Sequence, residues 1–295
     1  MAKHGLNWSY TWTKSYLQNR GYLKRAPRRG AHRRKRLRKP LIGMMLHQDG
    51  SRHCWIPSFE SALDLIITLD DATGEIYSGF LVEEEGTFST FQGLADVFAK
   101  YGLPLSLYTD RGSHYFHTPK AGEKVDPRAL TQVGRALAQL GIEHIAAYSP
   151  QARGRCERIF RTLQDRLPKE IALAGIVDLE KANQFIAEVF LPDYNARFAV
   201  AAAEPGSAFV PVARMQWHDV LCIQEDRIVG NDNTVAFQGL RLQIPRSRIR
   251  AHFVKAKVRV HQYYDGTQAI FHGPRCLARF CANGELIEES VIWAA

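Results

Sequence analysis

Apolar positions first recur at helical spacing near the N-terminus. In 8–23 (WSYTWTKSYLQNRGYL), Trp8, Trp12, Tyr16 and Leu17 fall on one face, and Gly21 closes the segment. One helix cannot bury such a stripe alone. It is expected either to end a helix-turn-helix unit or to pack on the body of the protein. From residue 41 the apolar positions fall in short runs of strand type: GMMLHQDGS, ALDLIITLDDATGEI with its Asp70-Asp71-Ala72-Thr73-Gly74 turn, and IYSGFLVEE. Two hairpin-like connections make these three an antiparallel meander. A helix is expected over 88–101, with Phe88, Phe91, Leu94, Ala95 and Phe98 on one face. LPLSLYTD then reads as a strand, 128–140 as a helix, and IEHIAAYS as a fifth strand. A helix from about Gly154 to Pro168 carries Ile159, Phe160, Leu163 and Leu167 inward, and another occupies 178–191.

The order βββαβαβα predicts an α/β fold, a mixed five-stranded sheet with flanking helices of the RNase H-like kind. Beyond the Pro- and Gly-containing stretch at 204–211, short runs (TVAFQ, LRLQIP, AKVRVHQYY, AIFHG) alternate with Gly and Asn/Asp turns. They predict a small all-β barrel. The expected division is an arm at 1–40 with one helix, an α/β core at 41–203, a linker at 204–216, and a β-barrel at 217–295.

Charge adds a second layer to this division. The chain is +9 in all, yet residues 1–40 hold thirteen Lys and Arg and no acid, so the remainder is net acidic by four. A second basic stretch lies at 233–264, with Arg241, Arg246, Arg248, Arg250, Lys255, Lys257 and Arg259 and no Asp or Glu. Alternation in KAKVRVH places Lys255, Lys257 and Arg259 on one strand face. Two basic regions around an acidic middle suit a polyanion held at both ends. The residues expected on DNA are Arg28, Arg29, Arg33, Arg34, Lys35, Arg36, Arg161, Gln164, Arg246, Arg248, Lys255 and Lys257. Five cysteines at scattered spacing favour reduced thiols over a disulfide framework or zinc site. No apolar run suits a membrane span or signal peptide, and a cytoplasmic location is expected.

Three carboxylates carry the candidate chemistry. Asp49 ends the first strand, Asp110 the fourth, and Glu157 lies in the first turn of the helix after the fifth. In this strand order the first and fourth strands are central neighbours, so Asp49 and Asp110 can meet and the helix can deliver Glu157. Clustered carboxylates repel unless a cation neutralises them. Hard oxygen donors select Mg²⁺ or Mn²⁺, and two such ions can serve in-line phosphoryl transfer. Asp70 and Asp71 rival Asp49, but their place before Ala-Thr-Gly marks a turn. His53 and His114 lie near the motifs as possible substrate contacts or as surface polar groups.

Asp110 sits in LYTDRGSHYF and Glu157 in YSPQARGRCERIFRTLQDRL. With HQDGS, HCW, LDDATGEI and DYNARF, these words resemble bacterial insertion-sequence transposases of the DDE group, which are related to retroviral integrases, and in particular those with a β-barrel tail. The resemblance covers nearly the whole chain. It implies metal-dependent cleavage at element ends and strand transfer into target DNA. It also implies catalysis and metal binding by Asp49, Asp110 and Glu157, and a dimer or larger assembly on DNA. Tyr194, Asn195 and Arg197 fall in one family word with an expected packing role. Two departures stand out. Asp110 and Glu157 are separated by 46 residues, more than in many relatives, with HTPKAGEKVDP as the expected surface insertion. The N-terminal helical region is mostly absent, so Met1 is expected to fall inside or just after it. A structure-specific nuclease of the same fold and a truncated or domesticated, non-catalytic DNA-binding protein are the alternatives.

Overall fold

The computed structural model describes residues 8–24, 37–117, 129–148, 150–213, 217–246 and 250–287. The chain divides into two compact units, 1–37 and 38–295.

In the first unit, α1 (Tyr10–Asn19) starts where the Ser9 side chain accepts from Trp12 N at 3.1 Å. Its aromatic stripe is a ladder. Trp8 and Trp12 have ring centroids 4.9 Å apart, Trp12 and Tyr16 5.3 Å, and all three side chains are exposed.

The second unit contains the meander β1 (Leu46–His53), β2 (Leu63–Asp70) and β3 (Ile76–Val82), followed by α2 (Thr87–Lys100), β4 (Ser106–Thr109), α3 (Gln132–Gln139) and β5 (Glu143–Ala146). The strands form one sheet in the order β3-β2-β1-β4-β5, with β1 antiparallel to β2 and parallel to β4. This is the mixed five-stranded sheet that the apolar runs predict. On one face α2 and α3 bury Phe91, Leu94, Phe98, Val133 and Leu137. On the other, α4 (Pro150–Leu173) buries Phe160, Leu163, Leu167 and Ile171 against Leu65, Ile67, Leu69 and Leu81.

Helix α4 runs straight through Pro168, where the sequence suggests a stop. Proline in a helix interior removes an N–H and costs about 3 kcal/mol. Burial of Leu167 and Ile171 on either side offsets that cost, at roughly 1.5–3 kcal/mol each. A second rod follows, made of α5 (Leu179–Phe185), a π-helical turn (Ile186–Phe190) and α6 (Leu191–Phe198). Two of its amides close the free edge of β3. Asn195 Oδ1 accepts from Ile76 N at 2.9 Å while its Nδ2 donates to Ile76 O at 2.8 Å. Asn183 does the same for Leu81, at 2.7 and 3.0 Å. An edge strand left bare is a template for stray pairing, and these two side chains act as a surrogate strand.

The C-terminal part is all β: β6 (Cys222–Ile228), β7 (Thr234–Phe237), β8 (Leu240–Gln243), β9 (Lys257–Tyr263), β10 (Gln268–His272) and β11 (Arg275–Phe280). Its strands pair as a four-stranded sheet, β11-β10-β9-β6, and a separate β7–β8 hairpin, around a shared cluster that includes Val235, Phe237, Leu242, Val258, Val260 and Ile270. This small β unit is docked on the core. Trp217 and Leu221 share a hydrophobic cluster with Phe98 and Leu137. Arg135 of α3 donates to Val220 O and Cys222 O at 3.1 and 2.6 Å, and Gln132 exchanges two bonds with the Gln224 backbone. The outer edge of β6 is therefore covered by side chains of α3. No helix among the described residues is long and apolar enough to cross a membrane.

Candidate active site

The strand ladder positions the first two carboxylates. β1 pairs with β4 through Leu46↔Leu107 and His47↔Tyr108, and the pairing stops there. Two residues further along each strand stand Asp49 and Asp110. Each is on the same face as His47 and Tyr108, at the point where the β1–β4 pairing ends. Asp49 is buried and Asp110 half-buried. Gly112 N donates to Asp110 Oδ1 at 2.8 Å, turning the chain immediately after the strand. Asp49 lies inside β1 rather than at its end. β1 continues to His53 because its antiparallel pairing with β2 runs on to His53↔Leu63, and only the β4 side ends early.

Glu157 lies about two turns into α4, which begins at Pro150 rather than near Gly154. Cys156 and Phe160 beside it face the core, while Glu157 and Arg161 are exposed. Gln164, seven residues on and so on the same helix face, donates to Ser51 Oγ at 3.0 Å. Ser51 shares a β1 face with Asp49. Helix α4 thus crosses the face that carries Asp49, and Glu157 stands about 10 Å up its axis from that contact. Among the described residues no three His, Cys, Asp or Glu side chains gather at metal-ligand spacing. Asp49 and Asp110 stand just past the end of the β1–β4 ladder, and Glu157 stands on α4. Two carboxylates at the end of a ladder form a donor set that fits a hard divalent cation.

The opposite face of β1 holds groups with no sequence signature. Gln48 Nε2 donates to Thr68 Oγ1 and Thr90 O, and Tyr115 donates to Gln48 Oε1 at 3.3 Å. Burial first, and then the charge of Glu85 with smaller contributions from Asp49 and Asp110, hold the Tyr115 phenol well above its ordinary range despite a hydrogen bond with Thr90. It is a neutral donor. The Glu85 carboxylate lies where a Cβ on residue 50 would stand, so Gly50 admits it. Glu85 Oε1 is 3.6 Å from His114 Nε2, and the His114 ring lies tilted against Tyr115 with centroids 3.9 Å apart. His114 therefore belongs to the site surroundings, whereas His53 packs edge-on against Trp55 at 5.1 Å.

Asp70 and Asp71, the rivals of Asp49, are both fully buried and engaged by the β2–β3 turn. Asp70 accepts from Gly43 N, Ala72 N and Thr73 N at 2.8, 2.8 and 3.0 Å. Asp71 accepts from Lys39 N at 2.8 Å and lies 2.8 Å from His47 Nε2.

Of the residues expected on DNA, Arg28, Arg29, Arg33, Arg34, Lys35, Arg36 and Arg248 lie outside the described residues. Arg246, Lys255 and Lys257 are exposed. Lys255 does not share a strand face with Lys257 and Arg259. It has φ +61° and donates its N–H to Val229 O, so the strand begins only at Lys257. Lys257 and Arg259 both pair with Asp226, at 2.9 and 3.2 Å, and line an open groove of about 520 Å³ that also touches Gln139 and His261.

Comparison with known proteins adds ancestry to this geometry. A putative transposase, y4bF, of Sinorhizobium fredii is 35% identical over 265 residues, which are 89% of this chain and 57% of that protein. The chain is related in sequence to insertion-sequence transposases. The transposase for insertion sequence IS1202 of Streptococcus pneumoniae is 30% identical over 241 residues, 78% of this chain and 49% of that transposase. The chain thus spans about half the length of the curated transposases it matches. No family model matches the sequence. Among solved structures it is similar to a chain of the simian T-cell lymphotropic virus intasome (15% identity, 89% of this chain and 85% of that one, TM-score 0.42). It is also similar to the HTLV-2 integrase catalytic core domain in complex with magnesium (17%, 50% and 89%, TM-score 0.36). These likenesses are too distant to add to what the strand order already states.

Proposed function

We propose that this chain cleaves DNA strands at the ends of a mobile element and joins them to target DNA, as a DDE-type transposase. The observation that supports this reading is the β1–β4 ladder, which ends two residues before Asp49 and Asp110 on the face crossed by α4. Asp49, Asp110 and Glu157 would hold Mg²⁺ or Mn²⁺, two ions per site. Bound there, the ions supply charge neutralisation at the scissile phosphate. The chain's residues do the rest. Asp49 and Asp110 fix where the phosphate sits, and α4 brings Glu157 over it. In cleavage a water oxygen bonds to phosphorus as the bond to the 3′ oxygen breaks, leaving a 3′-hydroxyl and a 5′-phosphate. In joining, that hydroxyl attacks a target phosphodiester, and one P–O bond forms for each one broken.

The proposed division is the arm at 1–40, core at 41–203, linker at 204–216 and tail at 217–295. Arg28, Arg29, Arg33, Arg34, Lys35, Arg36, Arg161, Arg246, Arg248, Lys255 and Lys257 would contact phosphates, and Gln164 would tether α4 beside them. Holding two element ends at once calls for a dimer or larger assembly on DNA, acting in the cytoplasm. The test is an oligonucleotide carrying the element's end, incubated with Mg²⁺ and a target plasmid. Cleaved and joined products support the reading. Cleavage without joining favours a nuclease, and binding without either favours a non-catalytic DNA-binding protein.

A further inference from the structure

The level of the sheet directly beneath Asp49 and Asp110 holds an unusual set of side chains. His47 and Tyr108 are the last paired residues of β1 and β4, each two positions before a carboxylate and on the same strand face. Their rings tilt against each other with centroids 5.0 Å apart. His47 is 1% exposed and its Nε2 lies 2.8 Å from Asp71 Oδ1, on a carboxylate that is itself fully buried. Asp71 is in turn fixed to the start of β1. Its N–H donates to Met45 O at 3.0 Å, and its other oxygen accepts from Lys39 N. Tyr108 also shares a hydrophobic cluster with Met45, Ile145 and Ala147.

A buried polar pair contributes little net stability, because desolvation offsets the attraction. Apolar residues of similar volume often serve as well or better. What such a pair adds is direction. A 2.8 Å bond fixes the imidazole plane, and that plane is the surface against which the Tyr108 ring rests. The fixed plane matters here because the backbone ladder between β1 and β4 ends at this step. Beyond it stand two carboxylates, and like charges held close together repel.

We propose that His47 is a positioning residue for Asp49 and Asp110, acting through its bond to Asp71 and its contact with Tyr108. The inference rests on the reading of Asp49 and Asp110 as metal ligands. His47 holds β1 and β4 at the spacing in which both carboxylates reach one cation, and it touches neither cation nor DNA.

The experiment measures Mn²⁺ binding to the full chain by loss of the free-ion electron paramagnetic resonance signal, with melting temperature without metal recorded in parallel. The double variant His47→Leu/Asp71→Leu fills the same space with apolar groups. It is expected to melt within a few degrees of the parent and to bind Mn²⁺ about tenfold more weakly, as when groups supporting a metal ligand are removed. Tyr108→Leu, which leaves the His47–Asp71 bond in place but removes the ring it supports, is expected to show the same loss and carries the test if the double variant does not fold. Parent-like Mn²⁺ affinity in a folded variant of either kind overturns the inference. Parent binding that survives Asp110→Asn overturns the reading of the site, and the inference with it.

Discussion

At the scale of single residues, the site depends on charge held at fixed points. On the proposed reading, Asp49→Asn, Asp110→Asn and Glu157→Gln would each remove an anionic ligand without changing shape. Each is expected to abolish strand cleavage, by at least about a hundredfold, while DNA affinity measured by gel shift stays near the parent value. A variant that cleaves normally with Mg²⁺ has been assigned the wrong role. Asn195→Ala uncaps both Ile76 backbone groups at a partly buried edge, which predicts a loss of about 1–3 kcal/mol in chemical denaturation. The strands and helix that carry the three carboxylates were legible in the sequence, though Asp49 lies inside β1 and Glu157 about two turns into α4 rather than at their ends. The edge-capping bonds of Asn183 and Asn195 and the place of Glu85 were not legible, although Asn195 was expected to pack. Asn183 and Asn195 bond to backbone 102 and 119 residues away, and Glu85 meets Gly50 only once the sheet has formed. Nothing in local spacing encodes such meetings.

At the scale of elements, apolar periodicity located every strand of the central sheet and the helices that cover it. It misplaced ends where packing overrides local preference. Helix α4 crosses Pro168 because Leu163, Leu167 and Ile171 continue one buried stripe past it. The β9 strand starts late because Lys255 takes a left-handed conformation to meet Val229. That strand also carries a pH-sensitive group. Burial first, with Arg135, Arg259 and Arg279 adding to it and Asp219 opposing, lowers the His261 pKa to about 4. A depressed folded-state value favours the neutral form. The associated stability is fully present above the unfolded value near 6.5 and is lost as pH falls toward 4. Asp219 acts in the same direction at lower pH. Burial alone would raise it, but hydrogen bonds from His218, Tyr263 and Arg279 outweigh that and hold it well below the usual carboxylate range. Thermal melts from pH 7 to 4 should therefore show falling stability, and His261→Gln should flatten the part between about 6.5 and 4. An unaltered profile would mean another group titrates there.

At the scale of the whole molecule, the basic arm and the docked tail make separable predictions. Each phosphate neutralised contributes about −0.9 to the slope of log affinity against log salt. Removing the arm with its six named cations should flatten that slope by up to about five. The cut belongs after residue 37, because Arg38 donates to Asp71 O and Ala72 O and Lys39 N to the Asp71 carboxylate, so both are parts of the core. A slope that does not change makes the arm a bystander. The tail needs equal care in a test of action in trans. Deleting 212–295 takes Trp217 and Leu221 out of a cluster shared with α2 and α3 and bares the edge of that core. Mixing an Asp110→Asn chain with a Lys257→Gln/Arg259→Gln chain leaves the shared cluster of the tail and core in place. Recovered activity places one subunit's tail on the DNA cut by another, and no recovery in a mixed complex excludes it.

The bonds from Gln132 and Arg135 to the backbone of 220–224 have a consequence for distance. A tail hung on a flexible tether would search a volume and reach different points along a duplex. Here the attachment is a seat on α3, so the span from Lys257 and Arg259 to Asp49 and Asp110 is a property of the folded body. If the tail grips DNA as proposed, it would act as a ruler: DNA held along β9 would be cut at a constant count of base pairs from its grip. Lengthening the 204–216 connection by several glycines should leave the cut position unchanged, while loosening the seat with Arg135→Ala should scatter it over neighbouring phosphates on a sequencing gel.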